Sequence, residues 1–496
     1  MIQPACRPQP THKQYILLTG VTGLVGRYLL RNLLLRGCRV AVLVRPSKKM
    51  KTRERVEQIL QFWESQLGKR LPRPVILSGD ICEPNLGLAN KQVQWCHDFV
   101  DQVIHNAAVL RFHSASENED PWRTNVVGTK NVLEFSNQCG IRDFHYVSTA
   151  YVCGKREETF HESDFDCQQE FRNDYEVSKF QAEKLVRDAD FFETTTIYRP
   201  AVIVGDSETG YTSTYHGLYL YLRFIDLIVP DQATNEAGVY ETKVRWQNGD
   251  TPRNLVPIDW VSKAIAHLVT TREAYGRTYH LVPDKGATSR EIIEYCREFY
   301  NSSGVEFCEE GEECPESEFA AKLSENTSIY KSYEAIEPTF DKSNLNRFAG
   351  HLVCPPITKE MIFRFIEFGR NDRWGKARSK PVCVDRWIEA HLTEIALATQ
   401  KTMGALGIKK DRHHFLMGLD IHGPGGGQWQ IESVDGKFEI TPGLPDDSCP
   451  VLTLSDLQID DLLQQSGRQD NKSESQQINW SQPLESVISN DNQRVE

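Results

Sequence analysis

The stretch "NDYEVSK" places a phenol and an ammonium four residues apart, at Tyr175 and Lys179. On a helix the two side chains lie one above the other. An ammonium beside a phenol stabilises the phenolate, so Tyr175 is expected to titrate below its usual value of about 10. Its proton then exchanges nearer neutral pH, as general acid–base chemistry requires. Lys179 can also grip a ribose. Y-x-x-x-K by itself recurs by chance on surface helices, and its meaning here comes from "YVSTAYV" (Tyr146 to Val152) upstream. That run reads as a strand end, where Ser148 or Thr149 can hydrogen-bond a substrate carbonyl and polarise it.

A carbonyl reaction of this kind needs a hydride source, and "LLTGVTGLVGRYLL" (Leu17 to Leu30) supplies a place for one. Gly20, Gly23 and Gly26 follow a short apolar run and open a helical pattern, the setting in which such spacing binds a dinucleotide. The loop, with Thr22, Leu24 and Val25 between its glycines, is expected to turn tightly and admit a pyrophosphate to the helix N-terminus. A glycine-rich turn without a ligand would share the spacing; the end of the second strand argues against it. That strand ends "VLVR". An acidic residue there would hold the ribose 2′-hydroxyl of NAD. Arg45 stands there instead, and a guanidinium suits a 2′-phosphate, so NADPH is expected. Lys48, Lys49 and Lys51 read as a solvated face. Asp80, at the end of "ILSGD", can accept the adenine amino group. "HNAA" (His105 to Ala108) puts Asn106, Ala107 and Ala108 at a strand end small enough for close backbone approach.

The elements that must position these groups follow from the apolar runs. "YILLTG", "RVAVLVR", "RPVILSGD", "VDQVIHNAA", "FHYVSTAYV" and "TTIYRPAVIVG" alternate with helical patterns. Val- and Ile-rich runs without polar alternation predict buried parallel strands. The expected fold class is α/β, a doubly wound parallel Rossmann sheet with a smaller substrate lobe and an additional C-terminal α+β domain.

Together these stretches resemble an extended short-chain dehydrogenase/reductase, and within that superfamily the thioester reductases and fatty acyl-CoA reductases (the male-sterility type). The resemblance rests also on "GDICEPNLGL", "VIHNAAVL", "TNVVGTKNVL", "YRPAVIVGDSETGY" and "NLVPIDWV", and covers roughly residues 15–285. It implies an NADPH-dependent oxidoreductase that reduces an acyl thioester to an aldehyde or alcohol. Thr149 would polarise the carbonyl, Tyr175 would donate the proton, and Lys179 would bind the ribose. Asn125 would be a structural or proton-relay member of the catalytic set. Gly20, Gly23, Gly26, Arg45, Asp80 and Ile81 would hold the dinucleotide, and Pro200 and Ala201 would line the nicotinamide. The acyl group would arrive on coenzyme A or on a separate acyl carrier protein. A sugar-nucleotide or steroid-type dehydrogenase leaves "LGL" after Asp80 and the long C-terminal extension unexplained. A non-catalytic NADPH- and lipid-binding protein has no need of Tyr175.

Domain boundaries are expected at 14–285 for the Rossmann unit, 286–378 for the rest of the reductase lobe and 387–465 for a small domain. A polar, disordered tail is expected over 466–496. "YTSTYHGLYLYLRFIDLIV" (Tyr211 to Val229) is either the wall of an acyl channel, with Tyr215, His216 and Tyr219 as candidate substrate contacts, or a helix packed on the core. "GPGGGQWQIESVDGKFEITPG" reads as a glycine turn and a hairpin closed at Asp435-Gly436. With "CPVLTLSDLQIDDLL" it resembles a sterol-carrier-type lipid-binding domain, the alternative being a small packing or oligomerisation domain.

The chain has 496 residues and a net charge of −12, which argues against nucleic acid as a partner. Its 13 cysteines are scattered without a C-x-x-C pair, as expected of free thiols in a reducing compartment. No metal is expected; His413 and His414 have no third ligand at a sensible spacing. The N-terminus lacks a secretory signal and no apolar run is long enough to span a bilayer, so a cytoplasmic protein is expected, with only peripheral membrane contact open.

Overall fold

The computed structural model describes residues 14–246, 249–307, 333, 337–377, 387–405, 414–434, 437–445, 449–455, 458–459 and 462–463. Six strands form where the apolar runs lie: β1 (Tyr15–Thr19), β2 (Arg39–Val44), β3 (Val75–Ser78), β4 (Val100–His105), β5 (Asp143–Val147) and β6 (Thr194–Pro200). With the edge strand Thr278–Leu281 they make one seven-stranded sheet. Its order is edge strand, β6, β5, β4, β1, β2, β3, and every pairing is parallel. The chain winds outward from β1 in one direction and from β4 in the other. That reversal opens a crevice beyond the carboxyl ends of β1 and β4, where such sheets bind ligands.

Helices cover both faces, which is why β1 and β5 are buried at every residue. On one face α1 (Leu24–Leu35), α2 (Thr52–Leu67) and α7 (Ile258–Val269) pack through Leu29, Leu33, Leu60, Val261 and Ile265. On the other, α3 (Asn90–Phe99), α4 (Gly128–Gln138) and α5 (Asp174–Asp188) pack through Cys96, Val132, Phe135, Ala182 and Val186. A third core joins α6 (Leu218–Ile228), α8 (Ser289–Tyr300) and the helix Lys359–Asn371 through Leu222, Ile292, Cys296, Ile362 and Phe365. This is the smaller lobe.

The chain crosses between the units more than a cut at 285 suggests. Phe340, Leu345 and Ala349 return to the core of the large sheet before the helix Lys359–Asn371 goes back to the lobe.

A separate core lies after residue 386, where Ile388 and Ile395 pack on a four-stranded sheet through Met417, Leu419, Ile431 and Leu452. Strands Gly427–Val434 and Lys437–Pro442 pair antiparallel with Val434 opposite Lys437, so the predicted hairpin is present. Its turn residues, Asp435 and Gly436, lie outside the described residues, as do His413 and the tail 466–496. This module is tied to the large sheet. The Tyr15 hydroxyl donates to Gln428 Oε1 at 3.0 Å and accepts from the Leu444 amide. Trp95 donates to the Pro442 carbonyl at 2.7 Å, and Arg53 pairs with Glu389 at 2.9 Å. No described helix is long and apolar enough to cross a membrane. The described cysteines are free thiols.

Candidate active site

A cavity of about 730 Å³ runs along the carboxyl ends of the strands and on into the smaller lobe. It gathers Gly20, Thr22, Gly23, Leu24, Val25, Arg45, Asp80, Ile81, Asn106, Ala107, Ala108, Thr149, Tyr175, Lys179, Pro200 and Ala201. These residues are spread over most of the sheet, and the sequence had singled out each of them.

The glycines have separate reasons. Gly20 has φ +72°, and a Cβ on it would lie 2.7 Å from the Ala107 amide nitrogen. A Cβ on Gly26 would sit 2.1 Å from the Gly20 carbonyl oxygen, so α1 can pack on the loop only through a glycine. Gly26 lies beneath the cavity and does not line it. Gly23 has φ −78° and its nearest neighbour to a Cβ would be 3.4 Å away, an ordinary contact. The fold therefore does not need Gly23 to be glycine, whereas a pyrophosphate against the backbone would. Gly23 is the N-cap of α1 and no side chain caps that helix, so its first amides and positive dipole end suit an anion.

Arg45 is exposed at the end of β2 and lines the cavity. Arg55 joins it: its Nη1 donates to the Arg45 carbonyl at 2.6 Å. Burial and the neighbouring Arg45 and Arg27 charges all disfavour the Arg55 cation. A dianionic phosphate is the group such a pair would favour. Arg27 itself points to Tyr211, donating to its hydroxyl at 2.8 Å. Arg55 was missed because, after Arg45, only Lys48, Lys49 and Lys51 were weighed against the phosphate, and these read as a solvated face. Lys48, Lys49 and Lys51 are indeed exposed.

Asp80 closes the next strand, accepting the Cys82 amide at 3.0 Å. Ile81 packs over Gly128, where a Cβ would meet its Cδ1 at 2.7 Å. Asn106 Nδ2 donates to the Gly20 carbonyl at 3.3 Å, tying the two strand ends together. The donor set, the uncapped helix end and the close backbone approach all fit a dinucleotide phosphate.

The catalytic candidates converge at the end of β5. Asn173 caps α5, accepting the Glu176 amide at 3.0 Å, and so sets Tyr175 in the first turn. The Tyr175 hydroxyl lies beside Thr149, and both line the cavity. Ser148, the other candidate, also lines the cavity, but its hydroxyl is committed to Glu183 Oε2 at 2.6 Å. That leaves Thr149 as the hydroxyl beside Tyr175 in the cavity.

The expected effect of Lys179 on Tyr175 is not what the structure shows. Burial pushes the Tyr175 phenol up to about 12; the bond from Thr149 opposes this and the Glu176 charge adds to it. Lys179 does not enter, because its ammonium donates elsewhere, to the Tyr146 hydroxyl and the Val147 carbonyl, each at 2.8 Å. Burial draws Lys179 down to about 7, with Glu183 opposing. Asn125 does not line the cavity either. Its side chain accepts the Val109 amide at 2.8 Å and donates to Ser178 Oγ at 2.9 Å, so its role is structural.

Beyond Tyr175 the cavity is aromatic and then apolar. Phe112 meets the Tyr175 ring edge-on at 6.4 Å. Tyr333 packs on Phe112 at 5.6 Å and on Tyr151 at 5.4 Å. The Tyr151 hydroxyl donates to Glu337, whose carboxyl burial raises. None of these was read from sequence, although Tyr151 stands inside the quoted "YVSTAYV". The far wall is Leu222, Ile225, Leu255, Ile292, Cys296 and Val305. Of the three guesses on the Tyr211–Val229 stretch, His216 and Tyr219 line the cavity. Tyr215 does not: it donates to Asp372 Oδ2 at 2.6 Å and packs against Trp374. Among the described residues no cluster of three His, Cys, Asp or Glu is placed to hold a metal ion.

Residues 18–265 match the family described as male sterility protein. The chain belongs to that family. A stretch of 295 residues, 57% of this chain, is 29% identical to a linear gramicidin synthase of Brevibacillus parabrevis, covering 5% of that protein. A putative fatty acyl-CoA reductase of Drosophila melanogaster is 33% identical over 146 residues, 28% of this chain and 26% of that one. The chain thus spans only a small part of the length of these curated relatives. Among solved structures, the terminal R domain from the myxalamid PKS-NRPS biosynthetic pathway superposes with TM-score 0.60 at 27% identity. It covers 74% of this family member and 93% of that domain.

Proposed function

We propose that this protein reduces an acyl thioester with NADPH. The observation that carries the reading is the position of Thr149 and Tyr175. They stand where a dinucleotide groove passes into an apolar pocket, between a hydride source and a place for an acyl chain. The acyl-CoA reductase and synthetase relatives agree with that chemistry.

NADPH bound along Gly20–Val25 supplies the hydride. Arg45 and Arg55 hold its 2′-phosphate, which is why we favour it over NADH. Thr149 and Tyr175 donate to the thioester oxygen and stabilise the negative charge that builds on it. Tyr175 keeps its proton at neutral pH, its phenol being pushed up to about 12, and so acts as an acid rather than a base. The hemithioacetal then expels its thiol and leaves an aldehyde; a second cycle gives an alcohol. Phe112, Tyr333 and Tyr151 close the site around the carbonyl and exclude water. The acyl group arrives on coenzyme A or a separate carrier protein.

We place the protein in the cytoplasm on its free thiols. The module 387–465 is proposed to be sterol-carrier-like on its strand and helix pattern, with lipid binding as its test.

Purified protein with NADPH and a panel of acyl thioesters, on coenzyme A and on carrier protein, tests the function. Absorbance loss coupled to thiol release is expected. NADPH binding without turnover on either carrier overturns the reading in favour of another carbonyl substrate.

A further inference from the structure

Lys179 is 2% exposed and so needs acceptors for its ammonium. Its own helix carries Glu183, but that carboxylate is committed to Arg199 at 2.6 Å. The acceptors are instead a carbonyl, Val147, and a phenol, Tyr146, which is 1% exposed. The ammonium also lies over the Tyr146 ring, 4.3 Å from its centroid. A phenol is a weaker acceptor than a carboxylate, and its proton must point away for a lone pair to face the lysine.

The surrounding side chains force that orientation. The Thr19 hydroxyl accepts two amides, from Asn106 and Ala107, each at 3.1 Å. Its own proton therefore goes to His105 Nδ1, 2.8 Å away. This fixes the neutral imidazole with hydrogen on Nε2, which donates to Thr129 Oγ1 at 3.0 Å. Thr129 gives its proton to the Asn125 carbonyl at 2.6 Å. Its oxygen is left as an acceptor beside the Tyr146 hydroxyl. An ammonium can only donate, so Tyr146 offers Lys179 a lone pair and turns its own proton toward Thr129. Two of the three ammonium hydrogens are then fixed on protein. Lys179 lines the cavity, so the third is available to a ligand there.

We infer that Tyr146 is a positioning residue for Lys179, oriented through Thr129, His105 and Thr19, the residue whose hydroxyl also holds the backbone at Asn106 and Ala107. One buried chain thus couples the lysine at the reacting end of the cofactor to the strand end that abuts Gly20. The inference rests on the proposed function, with Lys179 on the ribose of NADPH as the family resemblance implies. The titratable groups that face the ammonium are Tyr146 on β5, His105 on β4 and Glu183 on α5.

The test measures NADPH binding by fluorescence, and kcat/KM against pH, in Tyr146→Phe, Lys179→Met and the double variant. Phe keeps the ring and removes only the acceptor. Tyr146→Phe is expected to weaken NADPH binding by about tenfold or more, the scale of one hydrogen bond to a charged group. The ammonium loses an acceptor, so its proton is lost more easily and the alkaline limb of kcat/KM moves to lower pH. In the Lys179→Met background the same substitution is expected to change neither quantity, since Tyr146 acts only through the lysine. A Tyr146→Phe protein with unchanged binding and pH profile overturns the inference. So does an equal loss in the Lys179→Met background, which would make Tyr146 merely structural. If Tyr146→Phe does not fold, Thr129→Val frees the phenol to rotate and is expected to shift the same limb; an unshifted limb there is equally fatal. Lys179→Met with unaltered NADPH binding and turnover would instead remove the site assignment itself.

Discussion

Arg199 and Glu183, both wholly buried, meet at 2.6 Å behind the catalytic strand end. Ser148 donates to the same carboxylate, and Arg187 approaches it at 2.8 Å. The cluster joins α5, which carries Tyr175 and Lys179, to β5 and β6. It holds Glu183 well below the usual carboxylate range, at about 2. Glu183→Gln leaves Arg199 buried and uncompensated and is expected to cost about 3–5 kcal/mol in urea unfolding. Because the folded-state value is depressed, the stabilisation is complete above the ordinary carboxylate pKa. It is lost as pH falls from there toward about 2, a slope that Glu183→Gln should flatten.

Gly23 and Gly26 should respond differently to alanine. At Gly26 a methyl would lie 2.1 Å from the Gly20 carbonyl, so α1 cannot seat and the protein should lose stability or fail to fold. At Gly23 it meets nothing closer than 3.4 Å. Gly23→Ala is therefore expected to melt like the parent and bind NADPH poorly. Calorimetry for both variants, with and without NADPH, checks this. Normal binding by Gly23→Ala would move the pyrophosphate elsewhere.

Arg45→Ala and Arg55→Ala should each weaken NADPH binding by about 1.5–3 kcal/mol, the range for a hydrogen bond to a charged group. Binding of NADH, which lacks the 2′-phosphate, should barely change. Titration of both nucleotides against each variant gives the ratio. A parallel loss of both would mean that the arginines support the fold and not the phosphate.

Tyr175→Phe is expected to abolish turnover and keep NADPH binding, measured by single-turnover absorbance and by fluorescence. The pH profile separates Tyr175 from Lys179. Burial pushes Tyr175 up to about 12, so the phenol keeps its proton through the working range. Lys179 is drawn down to about 7, so activity that needs its charge is present below that value and lost as pH rises through it. The alkaline limb of kcat/KM, which reports the free enzyme, should therefore lie near neutrality.

The sheet and the dinucleotide loop were legible because both are written in contiguous residues. Tyr175 and Lys179 were legible as a helical pair, but their electrostatics were not. The acceptors of Lys179 come from β5, and sequence spacing says nothing about which of two hydroxyls and one phenol on a strand end will face a helix 30 residues on. Arg55 was hidden in a basic run because only the turn after β2 shows which of its cations returns to the strand. Tyr333 and Glu337 reach the site from a distant part of the chain, and no local pattern marks them. Tyr215 misled for the opposite reason: it shares a short aromatic stretch with Tyr219, and Gly217 with φ +55° between them sends the two side chains to different partners.

The apolar end of the cavity makes the last prediction. Leu222 on α6 and Ile292 and Cys296 on α8 line it, and Cys296 is 4% exposed with a thiol that burial raises to about 12. This thiol is packing rather than chemistry, since a reactive cysteine needs a lowered pKa. Cys296→Phe places a ring where the end of an acyl chain would lie. Overpacking of this kind costs about 1–3 kcal/mol, which the fold should survive. For long-chain thioesters KM is expected to rise steeply, each excluded methylene forfeiting about 0.8 kcal/mol of burial. For short-chain thioesters, which end before the ring, kcat and KM should stay close to the parent values. A chain-length series with both proteins decides the matter. An equal loss at every length would mean that the acyl chain takes another path, past Phe112 and Tyr333, and that the pocket between α6 and α8 serves the lobe's fold alone.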